Sequence, residues 1–329
     1  MNVLVTGGTG TFGHAFVRRA LEDHAVERIA VLSRDELKQA DMGVRFKPLD
    51  PHGKLRFLLG DVRDRGRLDL AFHRVDLVVH AAALKRVDAV AYDPAEVIKT
   101  NVLGTINVVE AAITQEVPRV VVISSDKSVM ATNIYGASKF MAEQYAVQAN
   151  SYGVPRGVRI CAVRYGNVLG SRGSVVHVWR RQLAAGEPLT ITDVRCTRFL
   201  MTADCAVNLV LDAAQDTHGG EVFIPKLRAA NIADLAIALS GRRLGEWVAV
   251  GLRPGGEKLH EVLLSPEEAS RTFEAPSYYL LLPATHPWAS APPPFAKQRV
   301  APAFVYSSET APRIGVDELR DHLKGVPDA

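Results

Sequence analysis

Residues 124–139 read SSDKSVMATNIYGASK and hold four groups able to move protons, Asp126, Lys127, Tyr135 and Lys139. A Tyr and a Lys four positions apart share one helix face, where an ammonium can hold a phenol near its ionised form. A phenol so prepared takes a proton from a substrate hydroxyl, and Ser125, at the end of the preceding strand, stands beside it. Asp126 and Lys127 add a second acid–base pair, a surplus that points to chemistry beyond a simple oxidation. The competing reading of that pair is a salt bridge within a loop.

An oxidation needs a place for the hydride, and the start of the chain supplies one. TGGTGTFG, residues 6–13, follows an apolar run and opens a helical pattern, with Gly7, Gly10 and Gly13 at every third position. Missing side chains there allow a tight turn and close approach of a pyrophosphate, and the helix N-terminus offers free N–H groups. Thr6, Thr11 and Phe12 complete this set of candidate contacts. About 20 residues on, where a carboxylate would favour NAD, the chain has Ser33 and Arg34, with Lys38 one helical turn later. A hydroxyl and a guanidinium suit the 2′-phosphate of NADP; the neighbouring Asp35 and Glu36 keep NAD as second choice. Asp61 and Val62 are expected near the adenine, and Ala81, Ala82 and Ala83 near the nicotinamide ribose.

These residues need elements to hold them. Apolar runs at 2–6, 28–32, 55–60, 77–80 and 119–123 alternate with amphipathic stretches at 11–22, 67–72, 94–115 and 132–150, and 157–164 reads as a sixth strand. Such alternation predicts an α/β fold with a parallel sheet covered on both faces. The second half is less regular and rich in Gly and Pro punctuation, so it is expected to supply substrate loops rather than more sheet of the same kind. Residues 283–302, rich in Pro and Ala, read as an extended surface arm, and 315–324 as a terminal helix. The expected division is a dinucleotide-binding domain at 1–165 and a mainly substrate-binding domain at 166–329, with some segments returning to the first.

Composition removes several classes of function. The 329 residues suffice for one large domain or two sharing a cleft, and 47% hydrophobic with 23% charged is ordinary for a soluble globular chain. A net charge of +3, from 39 basic and 36 acidic residues, gives nucleic-acid binding no electrostatic support. Cys161, Cys196 and Cys205 lack metal-ligand spacing and suit a reduced interior, and the histidines show no metal pattern, so no metal is expected. His80 is expected to pack at a strand end. No apolar run approaches the ~20 residues of a membrane span, and the N-terminus enters a strand without a basic leader. The expected location is cytoplasmic, with no membrane partner.

The glycine turn with Tyr135-x-x-x-Lys139 resembles the extended short-chain dehydrogenase/reductase superfamily. Within it, sugar epimerases typically carry small or hydroxylated residues at the positions of Asp126 and Lys127, and dTDP-glucose dehydratases an Asp-Glu pair. An Asp-Lys pair is similar to the soluble, inverting UDP-N-acetylglucosamine 4,6-dehydratases. The strings SRDELKQ (33–39), AAALK (81–85), KTNVLG (99–104), RYGNVLGSRGSV (164–175), TRFLMT (197–202) and GGEKLHE (255–261) extend that similarity along the chain. The resemblance implies a Rossmann-type doubly wound sheet with a smaller, partly interleaved C-terminal substrate domain, NADP as cofactor, a UDP-sugar as substrate and a homo-oligomer. It also implies a task for the surplus pair. Tyr135 and Lys139 would serve oxidation at carbon 4 of the hexose, Lys139 lowering the tyrosine pKa. Lys127, its own pKa depressed, would take the proton from carbon 5, and Asp126 would assist departure of the carbon 6 hydroxyl.

On the substrate side, the resemblance points to Arg198, Arg253 and Lys258 for the diphosphate and Asn167 for the diphosphate or sugar. Glu257 is the candidate for the uridine ribose, Lys85 for the sugar and Val175 for the uracil pocket; Asn101 joins the cofactor candidates. One segment departs from the family pattern: Ala131 stands where a proline is usual, after an apolar Val129-Met130. Loss of proline's fixed φ is expected to loosen that loop. The rival readings are a UDP-sugar 4-epimerase, which needs no elimination base, and a non-catalytic NADP-binding regulator.

Overall fold

Strand β1 (Asn2–Thr6) lies inside the sheet and is flanked on both sides by parallel neighbours, β2 (Arg28–Ser33) and β4 (Leu77–His80). The computed structural model describes residues 1–86, 92–241, 247–285, 292–296 and 298–326. With β3 (Leu55–Leu59), β5 (Arg119–Ser125) and β6 (Arg159–Tyr165) the parallel order is β3-β2-β1-β4-β5-β6. The chain reverses its direction of travel across the sheet between β1 and β4, so the connections leaving their carboxyl ends diverge and open a crevice. Alternate residues feed opposite layers: Val3 and Val5 pack in one apolar cluster and Leu4 in the other.

Helix α1 (Thr11–Glu22) has the predicted bounds. Helix α2 (Glu36–Phe46) was not foreseen; Asp35 caps it by accepting from the Lys38 N–H at 3.0 Å. Helix α3 (Arg65–Ala71) follows β3. The stretch read as a single helix at 94–115 is instead Pro94–Val97, a π-helical turn Ile98–Leu103, and α4 (Gly104–Thr114). Helix α5 (Ile134–Gln148) carries Tyr135 and Lys139, and Asn133 caps it through the Gly136 N–H at 2.9 Å.

Beyond β6 the sheet continues with parallel Val222–Pro225, then antiparallel Tyr278–Leu281, Thr272–Glu274 and Gln298–Arg299, ten strands in all. The irregular second half therefore gives the main sheet four strands, one parallel and three antiparallel, where substrate loops were expected more than sheet of the same kind. The putting-together is non-local, and strands of two to four residues leave no alternation to read. Part of the expected surface arm is one of them: Gln298–Arg299 pairs with Thr272–Glu274, while 286–291 and 297 lie outside the described residues. The remaining strands form small sheets: Leu189–Ile191 with Trp247–Ala249 packs in a third apolar cluster that includes Trp179, Leu235 and Leu319, whereas Val262–Leu264 with Tyr306–Ser307 packs in the first. The last helix is Val316–Lys324, with Gly315 as its cap.

A buried guanidinium ties the halves together. Arg164 of β6 pairs with Glu143 of α5 and with Glu268, each at 2.6 Å, and donates to the Leu263 carbonyl at 2.9 Å. Among the described residues no helix is long and apolar enough to cross a membrane.

Candidate active site

The turn after β1 is built for backbone contact. Gly7 has φ +68°, and a Cβ there would come within 2.7 Å of the Ala82 Cα, so the turn and the segment after β4 touch main chain to main chain. A Cβ on Gly13 would lie 2.1 Å from the Gly8 carbonyl oxygen. Gly10 caps α1 without a side-chain bond, so the first-turn N–H groups stay free for an anion. These groups fit a dinucleotide pyrophosphate. Arg172, from the second half, donates its N–H to the Thr11 hydroxyl at 3.0 Å, across the mouth of the turn.

The turn opens into a cleft of about 490 Å³, within the range of ligand sites. All cofactor candidates except Thr6 and Asn101 line it, as do Ser125, Asp126, Lys127, Lys85 and Asn167. Asn101, on the π-helical turn, spends its amide on both Leu84 backbone groups and on the Ser138 hydroxyl, so it fastens the post-β4 segment to α5 rather than facing a ligand. Thr6 bonds His80 Nδ1 at 2.7 Å, and His80 Nε2 meets the Thr105 hydroxyl at 2.9 Å. Thr105 already donates to the Asn101 carbonyl, so His80 must donate from Nε2 and accept at Nδ1. Burial, helped by the Lys139 charge, lowers the His80 pKa to about 3 and keeps it neutral. It packs at the strand end, as expected.

At the adenosine end, Ser33 accepts from the Gln39 amide at 2.9 Å. Arg34, 52% exposed, lies 3.6 Å from Asp61, and Lys38 lies 2.5 Å from Asp35. Partial burial pushes the Asp61 carboxyl up, but the Arg63 hydrogen bonds and the Arg63 and Arg34 charges outweigh it and hold it low. Two cations thus stand at this mouth, each against one carboxylate.

At the other end, β5 finishes at Ser125, which caps the tight turn Asp126–Ser128. The Ser125 hydroxyl donates to Asp126 at 2.7 Å, and Lys127 Nζ lies 3.0 and 3.2 Å from the two Asp126 oxygens. A second carboxylate, Glu261, lies 3.4 Å from the same ammonium. Burial alone would lower the Lys127 pKa, but the Asp126 and Glu261 charges reverse it to well above the usual range. The expectation of a depressed Lys127 is therefore corrected: it rests as an ammonium. Tyr135 is raised, chiefly by burial; the Lys127 charge and the Ser125 hydroxyl act against that. Lys139 donates to the Ile123 carbonyl, and burial lowers it to about 8. The Lys127 charge thus favours the ionised phenol, a task for which the sequence pointed to Lys139.

The departing loop is held more firmly than proline's absence suggests. Thr132 donates to the Gly256 carbonyl at 2.6 Å, and Lys258 Nζ to the Val129 carbonyl at 2.7 Å. Lys258 is thereby engaged with protein. Arg198 is buried against the Leu259 carbonyl at 3.0 Å and Glu257 at 2.9 Å; exposed Arg253 pairs with the same Glu257 at 3.1 Å. These four form one charged group beside Asp126 and Lys127, outside the lining of the cleft. Val175 begins the helix Val175–Ala184. Asn167 does face the cleft, and its buried Oδ1 has no partner. Sequence reasoning passed over Thr100, whose buried hydroxyl also lacks a partner in the cleft wall, and Glu261, which sat unremarked in the GGEKLHE string. Among the described residues no His, Cys, Asp and Glu cluster could hold a metal.

Comparison with known proteins adds a family. The sequence profile described as "Polysaccharide biosynthesis protein" matches residues 3–283. A UDP-N-acetylglucosamine 4,6-dehydratase (inverting) of Campylobacter jejuni is 41% identical over 284 residues, 86% of this chain and 83% of that one. A UDP-glucose 4-epimerase of Rickettsia conorii is 38% identical over 332 residues, 98% of this chain and 94% of that one. The crystal structure of Pen from Bacillus thuringiensis superposes with a TM-score of 0.87 at 35% identity, covering 98% of both chains.

Proposed function

The chain belongs to the polysaccharide biosynthesis protein family, and on that premise we propose that it dehydrates UDP-N-acetylglucosamine to a UDP-4-keto-6-deoxy sugar, with inversion at carbon 5. The observation that carries this is the ion pair of buried Asp126 with partly exposed Lys127, beside Tyr135 on the cleft wall. A bound nicotinamide dinucleotide would supply the means to hold a hydride between its removal from carbon 4 and its return to carbon 6. The Gly7–Gly13 turn and the N-terminus of α1 would bind its pyrophosphate, and Arg34 with Lys38 would favour NADP.

The chain's own residues do the rest. Tyr135 takes the proton of the carbon 4 hydroxyl, with Ser125 and the Lys127 charge supporting the phenolate. The ketone so formed acidifies the proton on carbon 5. The Asp126–Lys127 pair receives that proton and delivers one to the carbon 6 oxygen, which leaves as water. A carboxylate and an ammonium 3.0 Å apart can exchange a proton between them, so the pair serves as both acid and base. Asn167 and Lys85 line the cleft where the sugar nucleotide would lie, and the Arg198, Arg253, Glu257 and Lys258 group stands at its side. In this reading residues 1–165 hold the dinucleotide and 166–329 mainly the substrate, and the family resemblance supports a cytoplasmic homo-oligomer.

The test is proton NMR of the product from purified protein and UDP-N-acetylglucosamine in deuterated water, with NADP and NAD titrated separately. A 4-keto-6-deoxy sugar deuterated at carbon 5, and tighter NADP, are expected. The second reading, a 4-epimerase, is favoured by the Rickettsia relative's coverage of 98% of this chain. A product that keeps its carbon 6 hydroxyl would establish that reading instead.

A further inference from the structure

Lys127 faces more charge than an acid–base pair needs. Around it stand Asp126, Glu261, Arg198, Tyr135 and Lys258. Glu261 is only 3% exposed; its Oε1 lies 3.4 Å from Lys127 Nζ and 3.9 Å from Arg198 Nε, while its Oε2 is buried with no hydrogen-bond partner. Its backbone is pinned, with the Glu261 N–H donating to the Ser308 hydroxyl at 2.9 Å and the Ser308 N–H to the Glu261 carbonyl at 2.8 Å. A buried carboxylate held this rigidly, with one oxygen unspent, calls for a reason.

We infer that Glu261 is a positioning residue for elimination: as second counter-ion of Lys127, it lets Asp126 gain and lose a proton without stranding an ammonium that is 27% exposed. The inference rests on the dehydration proposed above. In that step the C5–H and C6–O bonds break, a carbon–carbon double bond forms, and one proton is taken up by the pair as another is given to the departing hydroxyl. Whenever Asp126 is the protonated member, its charge no longer compensates Lys127. A charge largely shielded from water and left uncompensated is unfavourable, and Glu261 reduces that penalty. Oxidation at carbon 4 involves no change in Asp126, and there Glu261 acts only through its charge, which raises the Tyr135 phenol, so its loss does not slow that step.

The test is Glu261→Gln in the full-length protein with its dinucleotide bound. Three readings are taken: the appearance of reduced nicotinamide by its near-ultraviolet absorbance, solvent deuterium entering carbon 5, and the pH profile of turnover. Reduced nicotinamide should appear within about twofold of the wild-type rate, while turnover and carbon 5 deuteration fall about 10²-fold. Reduced cofactor then accumulates. The pH limb belonging to Lys127 should move to lower pH, because one of the two carboxylates that hold its proton is gone; Glu261→Asp should restore part of both. Unchanged turnover, equal loss of oxidation and elimination, or an unmoved limb overturns the inference. Should Glu261→Gln not fold, the same readings on Glu261→Asp decide, with oxidation intact and elimination slowed as the expected result. A wild type that makes no 4-keto-6-deoxy product overturns the proposed function and this inference together; wild-type product with an unaffected variant overturns the inference alone.

Discussion

Lys139 titrates in the folded protein at about 8, because burial disfavours its ammonium, against 10.5 in an ordinary setting. Between those values the unfolded chain holds the extra proton, so the wild type gains stability as pH rises through that window. Lys139→Met has no such group. Its thermal stability relative to wild type should therefore be greatest at pH 7 and decline towards pH 10, by roughly 3 kcal/mol in full. Melting curves of both proteins across the window check this, and a constant difference would refute it. Lys127, common to both, cancels. The same scale shows what single residues announce. Asp126, Lys127, Tyr135 and Lys139 share sixteen contiguous residues, and local spacing was enough to find them. Their charge states were not legible, because Glu261 reaches Lys127 from a distant segment. Arg253 and Lys258 were expected on the diphosphate, and their engagement by Glu257 and the Val129 carbonyl has no local signal in the sequence.

Elements set how closely these groups approach. A Cβ on Gly136 would lie 2.3 Å from the Lys127 carbonyl oxygen, so the first turn of α5 rests directly on the Asp126–Ser128 turn. Gly136→Ala must separate them, moving Tyr135 away from Lys127. Misplacement by about 1 Å costs on the order of 10²-fold in rate, and a loss of that size in turnover, with dinucleotide affinity kept because the Gly7–Gly13 turn is untouched, is the expected outcome of kinetics with parallel binding titration. Retained turnover would show that the contact sets nothing. Strands β1 and β4 and helix α1 match the sequence reading residue for residue, since strong apolar patterns and a glycine turn bound them. Helix α2 escaped notice although Asp35 is a good cap, because its acidic start was weighed only for cofactor choice. The π-helical turn carrying Asn101 has no signature in an apolar pattern that reads as one continuous helix.

At the scale of the molecule, Arg164 and its two carboxylates join β6 and α5 to the 263–268 segment. Removing Glu268 takes two charge-assisted hydrogen bonds from the buried Arg164 guanidinium, at about 1.5–3 kcal/mol each. Glu268→Ala should lower the denaturant midpoint by that measure while Glu267→Ala, one residue away and outside the cluster, does not; equal midpoints would dismiss the role. The parallel half of the sheet and the family were legible, the latter because its strings run from residue 33 to 261. The four late strands were not, since each is completed only by neighbours remote in sequence. The bond from Arg172 to Thr11 lays part of the second half across the phosphate turn. In the proposed reaction, which borrows a hydride and returns it, a dinucleotide bound beneath that crossing would have no cause to leave between turnovers. The ratio of oxidised to reduced nicotinamide in the cell would then govern only the first loading, and flux would follow the supply of sugar nucleotide.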